Sequence, residues 1–357
     1  MKRQHKVLIP IVACGLMLST ASVLKAGNKD RAGQAGATEL LINPYARNSG
    51  WAGANHAGAR GLEAMYMNVA GTAFTTRTEM MFCRTNWLVG TGININSFGF
   101  TQRVGETGVI GLGVMSMDFG EIPITTVDLP EGGIGTFNPT FTNIGLSYAK
   151  GFSENIYGGI VVKGISQAIA DVAARGLALD AGIQYVTGKY EHIKFGISLR
   201  NVGPRMKFTG DGLSFRGVSP SGNYAMSLEQ RSQDFDLPTQ VNIAGSYDLY
   251  FSQDSASMKN HRLTMAGTFT SNSFSKDQFR VGAEYAWKSM LMVRAGYDYE
   301  EGITSDDNRT TAFTGPSFGA TVELPFGKKG STFGVDYSYR TTNPFSGVHS
   351  FGVRLSL

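Results

Sequence analysis

The chain has 357 residues and a formal net charge of +4, from 32 Lys+Arg against 28 Asp+Glu. Aromatic residues make up 11% and charged residues only 17%, which excludes intrinsic disorder, because disordered chains lack this much apolar surface. Glycine is abundant, at 46 residues, but without a three-residue period, so collagen is excluded too.

Residues 1–26 have the parts of an export signal: a positive start from Met1 to Lys6, a mostly apolar run from Val7 to Leu24, and small residues at Ala26-Gly27. Leu24 is bulky for its place before the cut. A retained anchor and a lipidated Cys14 after Ile11-Val12-Ala13 are the alternatives, although the apolar run continues past Cys14 to Leu18. The stretch contains Lys2, Arg3, Lys6 and Lys25 and no acid, so removing it leaves 28 basic against 28 acidic side chains. A nucleic-acid partner is therefore not expected. Cys83 is then the sole cysteine, which excludes an internal disulfide. No later stretch approaches the roughly 20 apolar residues of a spanning helix. The remaining choices are a soluble exported protein and a β-barrel.

Residues 27–78 read as an N-terminal extension. From Asn43-Pro-Tyr-Ala-Arg47 through Ser49-Gly-Trp-Ala-Gly-Ala-Asn55 to Gly58-Ala-Arg-Gly-Leu-Glu-Ala-Met-Tyr-Met67 there is neither strand alternation nor a strong helical period. Glycine and alanine at this density let backbones approach closely. A plug or hatch inside a following barrel fits this composition; a flexible lead-in is the alternative.

Residues 79–357 read as a barrel. Period-2 segments are expected at 79–87, 88–101, 107–120, 140–152, 155–167, 174–187, 192–203, 239–250, 261–271, 278–287, 290–300, 314–324, 331–340 and 349–357. These fourteen segments, each near the roughly 9–11 residues of a tilted membrane strand, predict an all-β, 14-stranded antiparallel transmembrane barrel in the outer membrane. Loops after strands 3, 7 and 11 (about 121–139, 204–238 and 301–313) are long, whereas most loops after even strands are short. Short links after strands 1 and 5 and the 251–260 connection break that parity. Trp87, Phe100, Phe152, Tyr250 and Trp287 near strand ends suit interfacial girdles. The phase opposite the apolar one carries Lys163, Asp180, Lys194, Arg200, Glu284, Arg294, Asp298, Glu323, Asp336, Arg340 and Arg354. Both signs occur, which predicts a lumen of paired charges.

Catalytic and metal chemistry find little support. His56, His192, His261 and His349 have no ligand-like spacing, and Gly108-Val-Ile-Gly-Leu-Gly113 lacks the Lys-Ser/Thr of a phosphate loop. Ser305-Asp-Asp-Asn-Arg309 lacks the full calcium-loop pattern. No nucleophile–base pair stands out, and neither enzyme activity nor a cofactor is expected.

Tyr45-Ala-Arg47, Gly50-Trp-Ala-Gly53 and Met67-Asn-Val-Ala-Gly71 resemble the start of the PorV/PorQ outer-membrane family and, more distantly, FadL-type barrels. Lys163, Leu179-Asp-Ala-Gly182 and Leu199-Arg-Asn-Val-Gly-Pro204 extend the likeness over the mature chain. The plug motif is thereby placed on Ala46, Arg47, Gly50, Gly53, Asn68, Ala70 and Gly71, with Val69 where the family usually has proline. The resemblance implies a FadL-like barrel with an N-terminal hatch, serving the type IX secretion system of the Bacteroidota. Its partners would be other secretion components or the C-terminal signal domains of cargo. Within the 204–238 loop, Phe208, Phe215, Tyr224, Met226 and Phe235 form the candidate partner-binding surface. A FadL-like channel for hydrophobic small molecules is the competing reading, and a closed structural barrel is a third. The channel requires an apolar pocket and an opening in the wall.

Overall fold

In the computed structural model, which describes residues 27, 29–218, 222, 224–251, 260–327 and 330–357, the alternating segments become fourteen long strands. The expected export signal, residues 1–26, lies outside the described residues. The strands are β1 (Thr78–Asn86), β2 (Asn94–Val104), β3 (Gly108–Asp118), β4 (Thr140–Gly151), β5 (Ile156–Ile169), β6 (Val172–Thr187) and β7 (Ile193–Val202). They continue as β8 (Gln240–Tyr250), β9 (His261–Asn272), β10 (Gln278–Trp287), β11 (Leu291–Glu300), β12 (Phe313–Phe326), β13 (Ser331–Thr342) and β14 (Val348–Ser356). Every strand pairs antiparallel with its neighbours in sequence, β6 pairs with β7, and β1 pairs with β14, so the ring is closed. Closure leaves no edge, which is the condition for a sheet to stand in lipid.

The outward phase is apolar and the inward phase polar. Val281, Tyr285, Trp287, Leu291, Val293, Phe318, Phe333 and Phe351 are exposed, whereas Glu284, Arg294, Asp336 and Arg354 between them are buried. Water would reverse that arrangement; a hydrocarbon surround favours it. The chain is a transmembrane barrel. The long segments 119–139, 203–239 and 301–312 share one rim, and the turns 105–107, 152–155, 188–192 and 288–290 share the other. Most of the 251–260 connection lies outside the described residues.

One boundary differs from the sequence reading. The first two strands are not contiguous at Trp87-Leu88: β2 begins at Asn94, and 87–93 is a loop. Leu88, Gly90 and Gly92 take left-handed φ values of 49°, 108° and 77°, which end the ladder. Trp87 belongs to no lipid girdle, because its ring meets Phe313 edge-on at 5.6 Å and packs against the core. Phe152 and Trp287 are exposed at strand ends, as an interfacial residue requires.

Ile197 stands mid-strand on the outward phase of β7 and is 57% exposed. Ile197→Arg should destabilise the folded barrel by about 2–4 kcal/mol at that depth. Urea titration of barrel folding into lipid vesicles, read by the gel shift of the unboiled protein, measures this.

Candidate functional site

Residues 31–77 thread the lumen from the long-loop rim to the short-turn rim. At the first rim Arg31 bridges Asp236 at 3.2 Å, its guanidinium stacks over Phe274, and Gly36 N–H donates to the Asp236 carbonyl at 3.0 Å. At the second rim Arg103 donates to the Thr75 carbonyl at 2.8 Å and Arg60 pairs with Glu191 at 2.6 Å. Between the rims the chain makes only short helical turns, at 38–41, 46–49, 62–66 and 69–74. Irregular backbone at membrane depth needs partners for its polar groups. The wall supplies them: Thr268 donates to the Ala54 carbonyl at 2.6 Å, Ser317 to that of Gly50 at 3.1 Å, and Gln184 to that of Ala59 at 3.1 Å.

Glycines on the inward phase make this approach possible. A Cβ on Gly296 would stand 2.2 Å from the Trp51 carbonyl oxygen, and one on Gly182 would stand 2.1 Å from Asn68 Oδ1. Asn68 itself is fully buried. Its Oδ1 accepts from Ala70 N–H at 3.2 Å, and its Nδ2 donates to the Ile183 carbonyl at 2.9 Å, so one side chain caps the 69–74 turn and ties it to β6. Val69 is the first residue of that turn, a position that also accepts proline. Gly71 lies against the Ala59 carbonyl, Gly50 against Gly319, Gly53 beside Arg280, and Ala46 beside Gly352.

The inward charges meet in groups. Glu284 accepts from Arg294 at 2.9 Å and from Arg262 at 3.0 Å, and lies 3.7 Å from Arg47, which also faces Glu63 at 3.8 Å. Asp180 holds Lys163 at 2.5 Å and Arg200 at 3.8 Å, while Arg200 donates to the Leu40 carbonyl at 3.2 Å. Asp298 faces Arg280 at 3.2 Å and Arg340 at 3.8 Å. Arg354 pairs with Glu323 and Lys194 with Asp248, each at 2.5 Å. Asp336 accepts from the Thr321 hydroxyl. Arg47 and Leu40 carry these wall clusters into the threaded segment, a link that sequence spacing did not reveal. Arg262 and Asp248 were missed as partners, although both sit on the polar phase of their strands.

The five apolar loop residues divide. Phe208 and Phe235 stack at 5.8 Å and pack on Met206, Leu237, Ala37 and Leu40, so they anchor the loop to the threaded segment. Phe215, Tyr224 and Met226 are exposed on or beside a hairpin of 214–218 with 225–229, where Phe215 opposes Leu228 and Met226 opposes Gly217. The 119–139 loop adds exposed Ile122, Ile124, Val127, Leu129 and Ile134. Inside the barrel, a cavity lined by Leu40, Met65 and Val161 together with Glu39, Asn143 and Lys163 has a volume of about 10 Å³, room for one water at most. Among the described residues, no group of three or more His, Cys, Asp or Glu is placed to hold a metal ion.

Family models and curated proteins give no match to the sequence. The fold does have relatives. The Pseudomonas putida toluene transporter TodX superposes with a TM-score of 0.55 at 10% identity, over 88% of this chain and 97% of that one. A Pseudomonas aeruginosa FadL homologue gives 0.51 at 11% identity, with the same coverage of 88% and 97%. The fold is that of FadL-like outer-membrane barrels.

Glu284 is 2% exposed and faces three guanidinium groups. Glu284→Ala strands those charges and should lower stability by about 3–5 kcal/mol. The denaturation midpoint of the reconstituted barrel reads this, and Arg47→Ala in the same background should add less than it does alone.

Proposed function

We propose that this chain is a non-enzymatic outer-membrane component of type IX protein secretion, closed along its axis by residues 27–78 and active at its extracellular rim. The observation that carries this reading is the threaded segment, bonded to the wall from one rim to the other. With the interior occupied, the surfaces left for a partner are the outer loops. There Phe215, Tyr224 and Met226 expose aromatic and thioether surface of the kind that anchors protein interfaces. On the resemblance to PorV/PorQ proteins, the partner is the C-terminal signal domain of an exported protein or another secretion component. No cofactor enters this role. The paired charges of the lumen hold the plug in place, and the export signal delivers the chain.

The second reading, a channel for hydrophobic small molecules, draws on the likeness to TodX, which is a toluene transporter. The interior cavity beside Met65 and Val161, at about 10 Å³, is too small for such a molecule, which needs a pocket of hundreds of Å³. The β3 ladder runs unbroken on both sides, from Gly108 to Asp118, whereas the register shifts between Phe313 and Ser317 on β12 and between Leu179 and Ala181 on β6 are the places where a wall opening would have to form.

The secreted proteins of wild-type cells, a deletion strain and a Phe215→Ser/Tyr224→Ser/Met226→Ser strain separate the two readings. The secretion role predicts cargo held back in both altered strains and a loss of cross-links from the hairpin to cargo or secretion components. An unchanged secretome together with impaired uptake of a lipophilic substrate would assign the channel role instead.

A further inference from the structure

The lipid-facing phase of β6 changes character at its long-loop end. Leu177, Leu179, Ile183 and Tyr185 are exposed on that phase, and Arg175 takes the next outward position. Leu177 to Tyr185 covers roughly 26 Å of strand at about 3.3 Å per residue, most of a ~25 Å apolar band once tilt is included. Arg175 therefore stands at the depth of the outer-leaflet headgroups.

The neighbouring strand brings further cations to the same place. β7 ends at Val202, and Phe208 and Thr209 take over the vacated edge of β6, opposite Ala174 and Ala173. Met206 is buried, turned inward against Gly176, which leaves Arg205 and Lys207 exposed on the other side of the chain. With Arg175 and Asp171 they line an open cleft of about 720 Å³. Asp236 takes part of the Arg205 charge, at 2.8 Å, and shares Arg31. Among the described residues, Arg175 and Lys207 have no ion-pair partner, and Asp171 is the only carboxylate lining the cleft.

We propose that this cleft binds the phosphorylated headgroup of an outer-leaflet lipid. An arginine fork and a lysine point charge suit phosphate oxygens, and such charge-assisted bonds are strong in a low-dielectric interface. The choice of a lipid follows from position: the cations lie on the same face as Leu177 and Leu179, where the acyl chains of a bound lipid run. The site requires only that the barrel stands in the membrane with its long loops outward, and does not rest on the secretion role.

The test uses the purified full-length protein in detergent, with bisphosphorylated lipid A and phosphatidylcholine as probes and native mass spectrometry as the readout. Wild-type protein should retain lipid A in preference to phosphatidylcholine. Arg175→Gln/Lys207→Gln should reduce that retention about tenfold, the equivalent of one charge-assisted bond. Lys150→Gln/Lys288→Gln, at the opposite rim, should leave it unchanged. The gel shift of unboiled samples reports folding, and the single Arg175→Gln variant serves if the double one does not fold. Equal retention by wild-type and double-variant proteins would overturn the proposal. So would displacement of lipid A by inorganic phosphate at matched concentration, which would make the cleft a free-anion site.

Discussion

The structure depends on one close approach: an irregular chain laid against the inner wall of a membrane barrel. Lipid outside the wall offers no hydrogen bonds, and a segment of short turns cannot satisfy its own carbonyls as a helix would. The threaded residues therefore have to reach donors on the strands, and those donors come within range because the wall carries glycine where the segment crosses. At Gly182 and Gly296 a single methyl group would collide with Asn68 or with the Trp51 backbone. The small residues of the segment and the inward glycines of the strands are two halves of one fit.

Buried charge follows from the same geometry. Inward positions of a wide barrel are polar, and with the lumen occupied they lose water. Ions in that setting are tolerated when paired and strongly destabilising when stranded. Glu284 with Arg47, Arg262 and Arg294, and Asp180 with Lys163 and Arg200, are the result. Because Arg47 belongs to the threaded segment, loss of a wall carboxylate loosens the segment as well as the strand.

Much of the fold was legible in the sequence, because lipid outside and charge inside sharpen the two-residue alternation. Glu284 between Ala283 and Tyr285, and Arg294 between Val293 and Ala295, give a clear phase. The signal fades where residues are small or where apolar residues serve a loop. Ala168, Ala170 and Ala173 hid the true ends of β5 and β6, and Trp87-Leu88-Val89 read as strand although Gly90 and Gly92 end it. The site was less legible. Phase alone identified the inward charges, but which charges meet depends on register, which placed Arg262 opposite Ala286 and beside Glu284. Likewise, composition could not separate Phe208 and Phe235, which pack inward, from Phe215 and Tyr224, which face solvent.

On the proposed reading the N-terminal segment closes the barrel and leaves its working surface at the rims, which is why the loops and the lipid-facing cations carry the proposed functions. Conductance of the full-length protein in planar bilayers addresses that closure most directly. The account predicts no steady ion current through the wild-type barrel, and a current once residues 44–75 are deleted. A stable, porin-sized conductance in the wild-type protein would contradict it.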